Sequence, residues 1–466
     1  MKRIDILIKN AMVITVDENR RVFQDGAVAI DGGKIIDVGK TEEIAPLYEA
    51  NKVFNRPSTI VMPGMINTHM HLPQVMMRGL YDDVSDAMTK LKYYTWPIQG
   101  CYTADDAMVS AQLGVLEMIK SGTTGFISTG LHPRYGMDAI IEMTAASGIR
   151  AAISKYVMDI SDYATDKSAL HVGLHEKPDE CKSQVLDLVK KWNGAANDRI
   201  HIFISPRSVG GVSDDLFCWC VEKADEYDLG LTMHFSEVPN NIDYCLKTYG
   251  MLPIPFAKKM GLLTSRMTFA HGIWFSSEEI EMVAESGTSI AHCPCCNSKL
   301  SMGVAKVSEM LRAGVNVTLA NDGMGVNNTA DIFREMRTAL LLQRVKNEEP
   351  NYPTAAQGIE MATINGAKAM RCAGKTGSIE KGKCADIILV DADQPHMIPL
   401  YDPASAIAWA TNGNDVRDSI IDGKIVMENR VVLTMNEKEI LDKAENIKNK
   451  ITEQAGVTAM HSWMPE

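Results

Sequence analysis

Residues 62–71 read MPGMINTHMH, an apolar run that ends in two histidines one residue apart. The construction recurs along the chain. TTGFISTG (123–130), RAAISKYVMD (150–159), IHIFISPRS (200–208), LGLTMHFSE (229–237), MTFAHGIW (267–274), TSIAHCP (288–294) and NVTLANDG (316–323) are all short apolar runs closed by polar residues. Runs of this length, bounded by turn residues, suit strands buried on both faces. Segments with helical periodicity lie between them, such as ADDAMVSAQLGVLEMIKSG (104–122), DDLFCWCVEKADEYD (214–228), SSEEIEMVAESG (276–287) and NTADIFREMRTALLLQRV (328–345). Helical stretches stop at Gly122, Gly148, Gly287 and Gly314, where a left-handed C-cap is expected. Eight such units, from about Val61 to about Val345, predict an α/β fold, a (β/α)8 barrel of the TIM type.

Outward from the barrel the texture changes. ILIKNAMVITVD (6–17), AVAIDGGKIIDVG (27–39) and NKVFNRPSTIVMPG (51–64) alternate apolar and polar residues around turns, as strands do. KGKCADIILVDAD (381–393) and DSIIDGKIVMENRVV (418–432) repeat that texture near the other end. The reading is a small β-sandwich built from both termini, 1–60 and 372–435, around a barrel at 61–371. TAAQGIEMATINGAKAM (354–370) supplies the barrel's last helix, and 436–466 is a helical tail.

Composition narrows the function. A formal charge of −12 over 466 residues leaves no basic surplus to neutralise phosphates, so no nucleic-acid partner is expected. No run reaches the roughly 18 apolar residues of a membrane span. Asp5, Lys9 and Asn10 interrupt any signal-like core near Met1. A cytoplasmic location with no membrane partner is the expectation. The ten cysteines then read as free thiols rather than a disulfide frame. Cys293, Cys295 and Cys296 lack the paired knuckles of a zinc ribbon.

The unusual polar residues gather at the ends of the apolar runs. His69 and His71 close the first, His234 and Glu237 the fifth, His271 the sixth, His292 the seventh and Asp322 the eighth. A barrel collects its strand ends on one face, where active sites form. His69 and His71 have the period of a strand, so both imidazoles point one way. With His234 and Asp322 they make three nitrogens and one oxygen, a donor set suited to one zinc ion and a water. Fe2+ is the alternative, since the affinity order does not exclude it. Asp322 can take the water's proton and His271 can aim the water. Glu237, three residues past His234, is the proton donor to a ring nitrogen; the competing reading is a solvated loop carboxylate. His292 suits a supporting role as well as substrate contact. His132, His171, His175, His201, His396 and His461 fit no strand-end pattern and read as structural or surface histidines.

These motifs resemble the amidohydrolase superfamily, in its branch of mononuclear-metal aminohydrolases. That branch holds S-adenosylhomocysteine/methylthioadenosine deaminases, guanine deaminases and triazine hydrolases. PGMINTHMH, MIKSGTT, MHFSE, AHGIWF, SIAHCP, LANDG and GSIEKGKCADIILVD carry the resemblance in family order across nearly the whole chain. It implies metal ligation by His69, His71, His234 and Asp322, with Glu237, His271 and Asp322 catalytic. The lysine that bridges two metals in other branches should end strand four; here Ser205-Pro206-Arg207 ends it, so one ion is implied.

The substrate signals diverge. The adenosine-type deaminases carry a glutamate about eight residues before a WP pair, where MTKLKYYTWP places Thr89 near that position and Trp96 in the pair. They carry a histidine after the strand-four proline, where this chain has Arg207. SPRS and HLPQ are similar to guanine-deaminase segments, which makes Arg207 and Gln74 candidate ring contacts alongside Trp96 and His292. LANDG is closer to the adenosine and triazine groups. The expected reaction is hydrolytic deamination of an aminated purine, pterin, pyrimidine or triazine ring, hydroxide attacking a ring carbon and ammonia leaving. The alternatives are displacement of chloride or alkylamine from a triazine-like ring, or deamination of an adenosine-type nucleoside. A non-catalytic module of the same fold is disfavoured because every ligand position is kept. The expected partners are a small N-heterocyclic molecule and further copies of the chain, as a dimer or larger homo-oligomer.

Overall fold

The computed structural model describes residues 1–84, 86–162, 169–460 and 463. His461, read above as structural or surface, lies outside them. Eight parallel strands follow one another in sequence order: Met65–Met70, Thr123–Leu131, Arg150–Val157, Ile200–Pro206, Gly230–Phe235, Met267–His271, Ser289–His292 and Asn316–Leu319. Each adds beside the previous one, as right-handed β–α–β crossovers require. The ring closes at its upper rim. Met70 bridges Asp322 in parallel, and Asp322 N donates to His69 O at 2.9 Å. The seam of the barrel therefore runs through two of the residues singled out by sequence.

The lower end is plugged. Ile66, Ile127, Ala152 and Phe203 from the first four strands pack on Ala367, Ala369 and Met370, at the end of the helix Ile364–Ala369 and just beyond it. The buried Ile, Phe and Met side chains among them contribute about 1.5–3 kcal/mol each. With the bottom filled, only the upper face is left for a site.

Nine strands from both ends of the chain form the second sheet. The two contributions meet where Thr59–Pro63 pairs antiparallel with Ile387–Asp391. Alternation along these strands divides their side chains between two cores. Val61, Ile387 and Leu389 face the sheet's own core, with Val13, Val28 and Ile420. Ile60, Met62, Ile388 and Val390 join the barrel core. Thr59–Pro63 crosses residue 60 and belongs to this sheet throughout. After the sheet, the helix Glu437–Ala455 returns to the barrel helix Ala104–Lys120, with Lys450 Nζ 2.8 Å from Asp106 Oδ1. Among the described residues no helix is long and apolar enough to cross a membrane. All ten cysteines are free thiols.

A buried ion pair fastens the two parts. Arg150, the first residue of the third barrel strand, donates from Nε to Asp386 Oδ2 at 2.9 Å, and both side chains are about as buried as the core. Asp386 Oδ1 accepts Asp422 N at 2.7 Å. Removing one partner strands the other charge away from water. Arg150→Met is therefore expected to destabilise the protein by about 3–5 kcal/mol, read from the midpoint of chemical denaturation. A loss under about 1 kcal/mol, the worth of a surface pair, would show that the clamp is solvated and weak.

Candidate active site and metal centre

His69 lies on the first barrel strand and His71 just beyond it; both are buried. His71 Nδ1 is 2.9 Å from Thr129 O. A carbonyl can only accept, so Nδ1 carries the proton and Nε2 keeps a lone pair. That lone pair is 3.1 Å from His234 Nε2 and 3.1 Å from Asp322 Oδ1. Two nitrogens on a common tetrahedral zinc at 2.0–2.1 Å would stand about 3.3 Å apart, so the spacing is that of two ligands to one ion. His69 Nε2 and His271 Nε2 are buried with no hydrogen-bond partner among the described residues. His271 Nδ1 lies 3.0 Å from Asn297 Oδ1, which leaves Nε2 as the acceptor facing inward. Ligand atoms of His69, His234, His271 and Asp322 fall within 4.8 Å of one another. Orphaned, converging acceptors of this kind fit a divalent cation.

The electrostatics agree. Burial pushes His69 down to about 3, and neighbouring His71 adds to the effect. Burial, then Arg207 and the other imidazoles, hold His234 well below its usual range. Neutral imidazole is the metal-binding form. Burial alone would raise the Asp322 carboxyl, but the His69 and His71 imidazoles outweigh it and hold the group well below the carboxylate range. Asp322 uses its two oxygens differently. Oδ1 accepts Gly323 N at 2.7 Å and faces His71; Oδ2 accepts the Cys296 thiol at 2.9 Å and lies 4.0 Å from His271 Nε2.

Backbone strain marks the same rim. Ser236, His271 and Asp322 have φ of 48°, 75° and 65°, positions that cost a non-glycine residue of order 1–3 kcal/mol. Ladder bonds that outlast the strands hold them, among them Gly272 N to Phe235 O at 3.1 Å and Ile273 N to Ser236 O at 3.0 Å. The turn at Ser236 sends Glu237 off the strand direction. Glu237 N donates to Asn241 Oδ1 at 3.1 Å, and its Oε1 stands 3.9 Å from His271 Nε2.

One cavity gathers these groups. Its walls include His71, Gln74, Lys90, Arg207, Glu237 and Asp322. Gln74 and Arg207, predicted from sequence, are thus on the cavity. The Gln74 carboxamide fits because residue 323 is glycine: a Cβ there would lie 1.8 Å from Gln74 Oε1. Arg207 stacks its guanidinium 5.4 Å from the centre of the Tyr156 ring. Trp96 is buried beside the cavity-lining Thr95, and His292 is buried at the end of the seventh strand; neither is among the cavity's described walls. Both His292 nitrogens lack partners among the described residues.

Sequence reading missed several neighbours of the site. Thr129 touches both His71 and His69, the latter through Oγ1 at 3.2 Å from Nδ1. Tyr156 Oη lies 3.3 Å from His71 Nδ1, and Gly130, with φ 89°, clears the space for that ring. His132, read as structural or surface, directly follows the second barrel strand, lies 3.5 Å from Glu176 and accepts Arg134 N. Behind the rim, Glu335 accepts from Asn321, Asn327 and Cys295 N, and burial raises its carboxyl to about 7.

The amidohydrolase family matches residues 60–426 of the chain. A 5'-deoxyadenosine deaminase of Methanosarcina acetivorans is 34% identical over 451 residues, covering 97% of this chain and 99% of that protein. A 5-methylthioadenosine/S-adenosylhomocysteine deaminase of Thermococcus sibiricus is 35% identical over 422 residues, 91% of this chain and 94% of the other. The crystal structure of an adenosine deaminase from Xanthomonas campestris with bound zinc superposes with a TM-score of 0.90 at 26% identity, covering 97% of this chain and 99% of that one.

Proposed function

The chain belongs to the amidohydrolase family, and from that premise we propose that it is a zinc-dependent aminohydrolase acting on an adenine-type amine, exchanging the exocyclic amino group for oxygen and releasing ammonia. The carrying observation is the convergence of the His69, His71 and His234 imidazoles on Asp322, with His71, His234 and Asp322 lining one cavity beside Glu237. His69, His71, His234 and Asp322 Oδ1 would hold the ion. When bound, such an ion lowers the pKa of a water towards about 7. His271 Nε2, with its partner Asn297 on the far side of the ring, orients the attacking water. Asp322 Oδ2 takes that water's proton and passes it to the departing amine. Glu237 gives a proton to the ring nitrogen next to the carbon under attack, which draws electrons from that carbon, and recovers one from the added hydroxyl as the ring carbonyl forms.

The adenine assignment is supported by relatives named for adenosine derivatives at 34–35% identity over nearly the whole chain. A second reading rests on Arg207. A guanidinium buried on the cavity wall suits a ring carbonyl, as in guanine or a pterin. An ammonia-release screen with adenosine, 5'-deoxyadenosine, guanine and a pterin separates the two. The proposal expects turnover of the adenosines. Turnover confined to the oxo rings, and abolished by Arg207→Met with metal retained, would replace it with the second reading.

A further inference from the structure

Lys90 is a cation the proposed chemistry does not use. It ends the short helix Ala87–Lys90, on the segment that leaves the first barrel strand and returns over the site. The residue is 1% exposed and lines the same cavity as Glu237 and Asp322. Its ammonium donates to Asp82 O at 3.4 Å, a long contact to a neutral acceptor. The Asp82 carboxylate is taken by Lys299 Nζ at 2.6 Å and by Asn328. Among the described residues no carboxylate lies within ion-pair distance of Lys90 Nζ. The other fully buried lysine of the barrel shows the contrast. Lys155, also 1% exposed, has Glu176 Oε2 at 2.9 Å and Tyr156 O at 2.8 Å. Burial, then Lys299, lowers the proton affinity of Lys90, while Cys296, Asp82 and Asp83 act more weakly the other way, so the buried ammonium is compensated only at a distance, which is unfavourable. An anion entering the cavity relieves that penalty.

We propose that Lys90 is an anion-binding subsite, and that the substrate carries an anionic oxygen group, carboxylate or phosphate, away from the reacting amine. Arg207, on the same cavity wall, adds a second positive charge to the field that such a group meets. The inference rests on the aminohydrolase reading and adds the substrate's charge to it. It also gives a reason why a chain with adenosine-type relatives departs from them around Thr89 and Arg207: the reacting amine is shared, and the rest of the substrate differs.

The test has two arms. In the first, inorganic phosphate and acetate are titrated separately into the metal-loaded protein by calorimetry, with no turnover involved. Hydrogen bonds to charged groups predict that Lys90→Met weakens binding by about 10-fold or more, with Lys90→Arg restoring it. Equal metal content and thermal midpoints check that the variants are folded. No binding to the wild type, or binding that survives Lys90→Met, overturns the subsite. In the second arm, ammonia release is compared for adenosine, adenosine 5'-monophosphate and adenosine 5'-carboxylate. An anionic member should lead in kcat/KM by about 10-fold or more, and that lead should vanish in Lys90→Met. The leading anion identifies phosphate or carboxylate. A wild type that prefers neutral adenosine overturns the subsite. If no adenosine derivative reacts, the adenine reading falls, while the titration still decides Lys90.

Discussion

Glu237→Gln should keep its full complement of metal and lose turnover by about 100-fold or more. The exchange preserves size and removes only the transferable proton. Glu237 lies outside the cluster formed by His69, His234, His271 and Asp322, and its Oε1 stands 3.9 Å from His271 Nε2. Its backbone is held independently, through Asn241 Oδ1, so the variant's turn has no reason to rearrange. Elemental analysis and steady-state kinetics on the same preparation check both halves. A near-normal rate would remove Glu237 from proton transfer; loss of metal would make it a ligand instead.

His71→Ala should do the opposite and empty the centre. Its Nε2 is the atom that approaches both His234 Nε2 and Asp322 Oδ1 at 3.1 Å. Its Nδ1 proton is committed to Thr129 O, the outer hydrogen bond that fixes a ligating imidazole. Since disturbing such an outer partner alone weakens metal binding 10- to 100-fold, deleting the ring should weaken it by about 100-fold or more. Competition with a chromogenic chelator measures this without any substrate. A milder change gives a control: Tyr156→Phe removes the hydroxyl that stands 3.3 Å from His71 Nδ1 and should shift affinity far less. Equal affinity in His71→Ala and wild type would assign the ion to the set His69, His234, His271 and Asp322 alone.

The barrel was legible because buried parallel strands write themselves as apolar runs, and because a polar residue at the end of such a run has few structural excuses. His69, His71, His234, Glu237, His271 and Asp322 all stood out that way, and the fold brings them to one rim. What supports them did not stand out. Thr129 acts on His71 through a backbone oxygen, which no side chain advertises. Cys296 reaches Asp322 from a helix 26 positions earlier in the chain, so its thiol looked like one of three unexplained cysteines. Lys90 lay in a segment with no strand or helix signature, and its burial is set wholly by what folds over it. The terminal sheet was readable from alternation at both ends. That Thr59–Pro63 serves two cores at once was not, since alternation gives two faces and not what each face meets.

That strand also sets an order of events during synthesis. Thr59–Pro63 pairs on one side with residues 12 and 13 and on the other with Ile387–Asp391. At about 5–20 residues per second, the second partner leaves the ribosome roughly 16–65 s after Thr59–Pro63 itself. Throughout that interval the N-terminal half-sheet offers an open edge of apolar strand, the kind of edge that recruits stray chains. The open edge is closed only when Ile387–Asp391 arrives, and Ile60 and Met62 are covered only as the barrel grows over them.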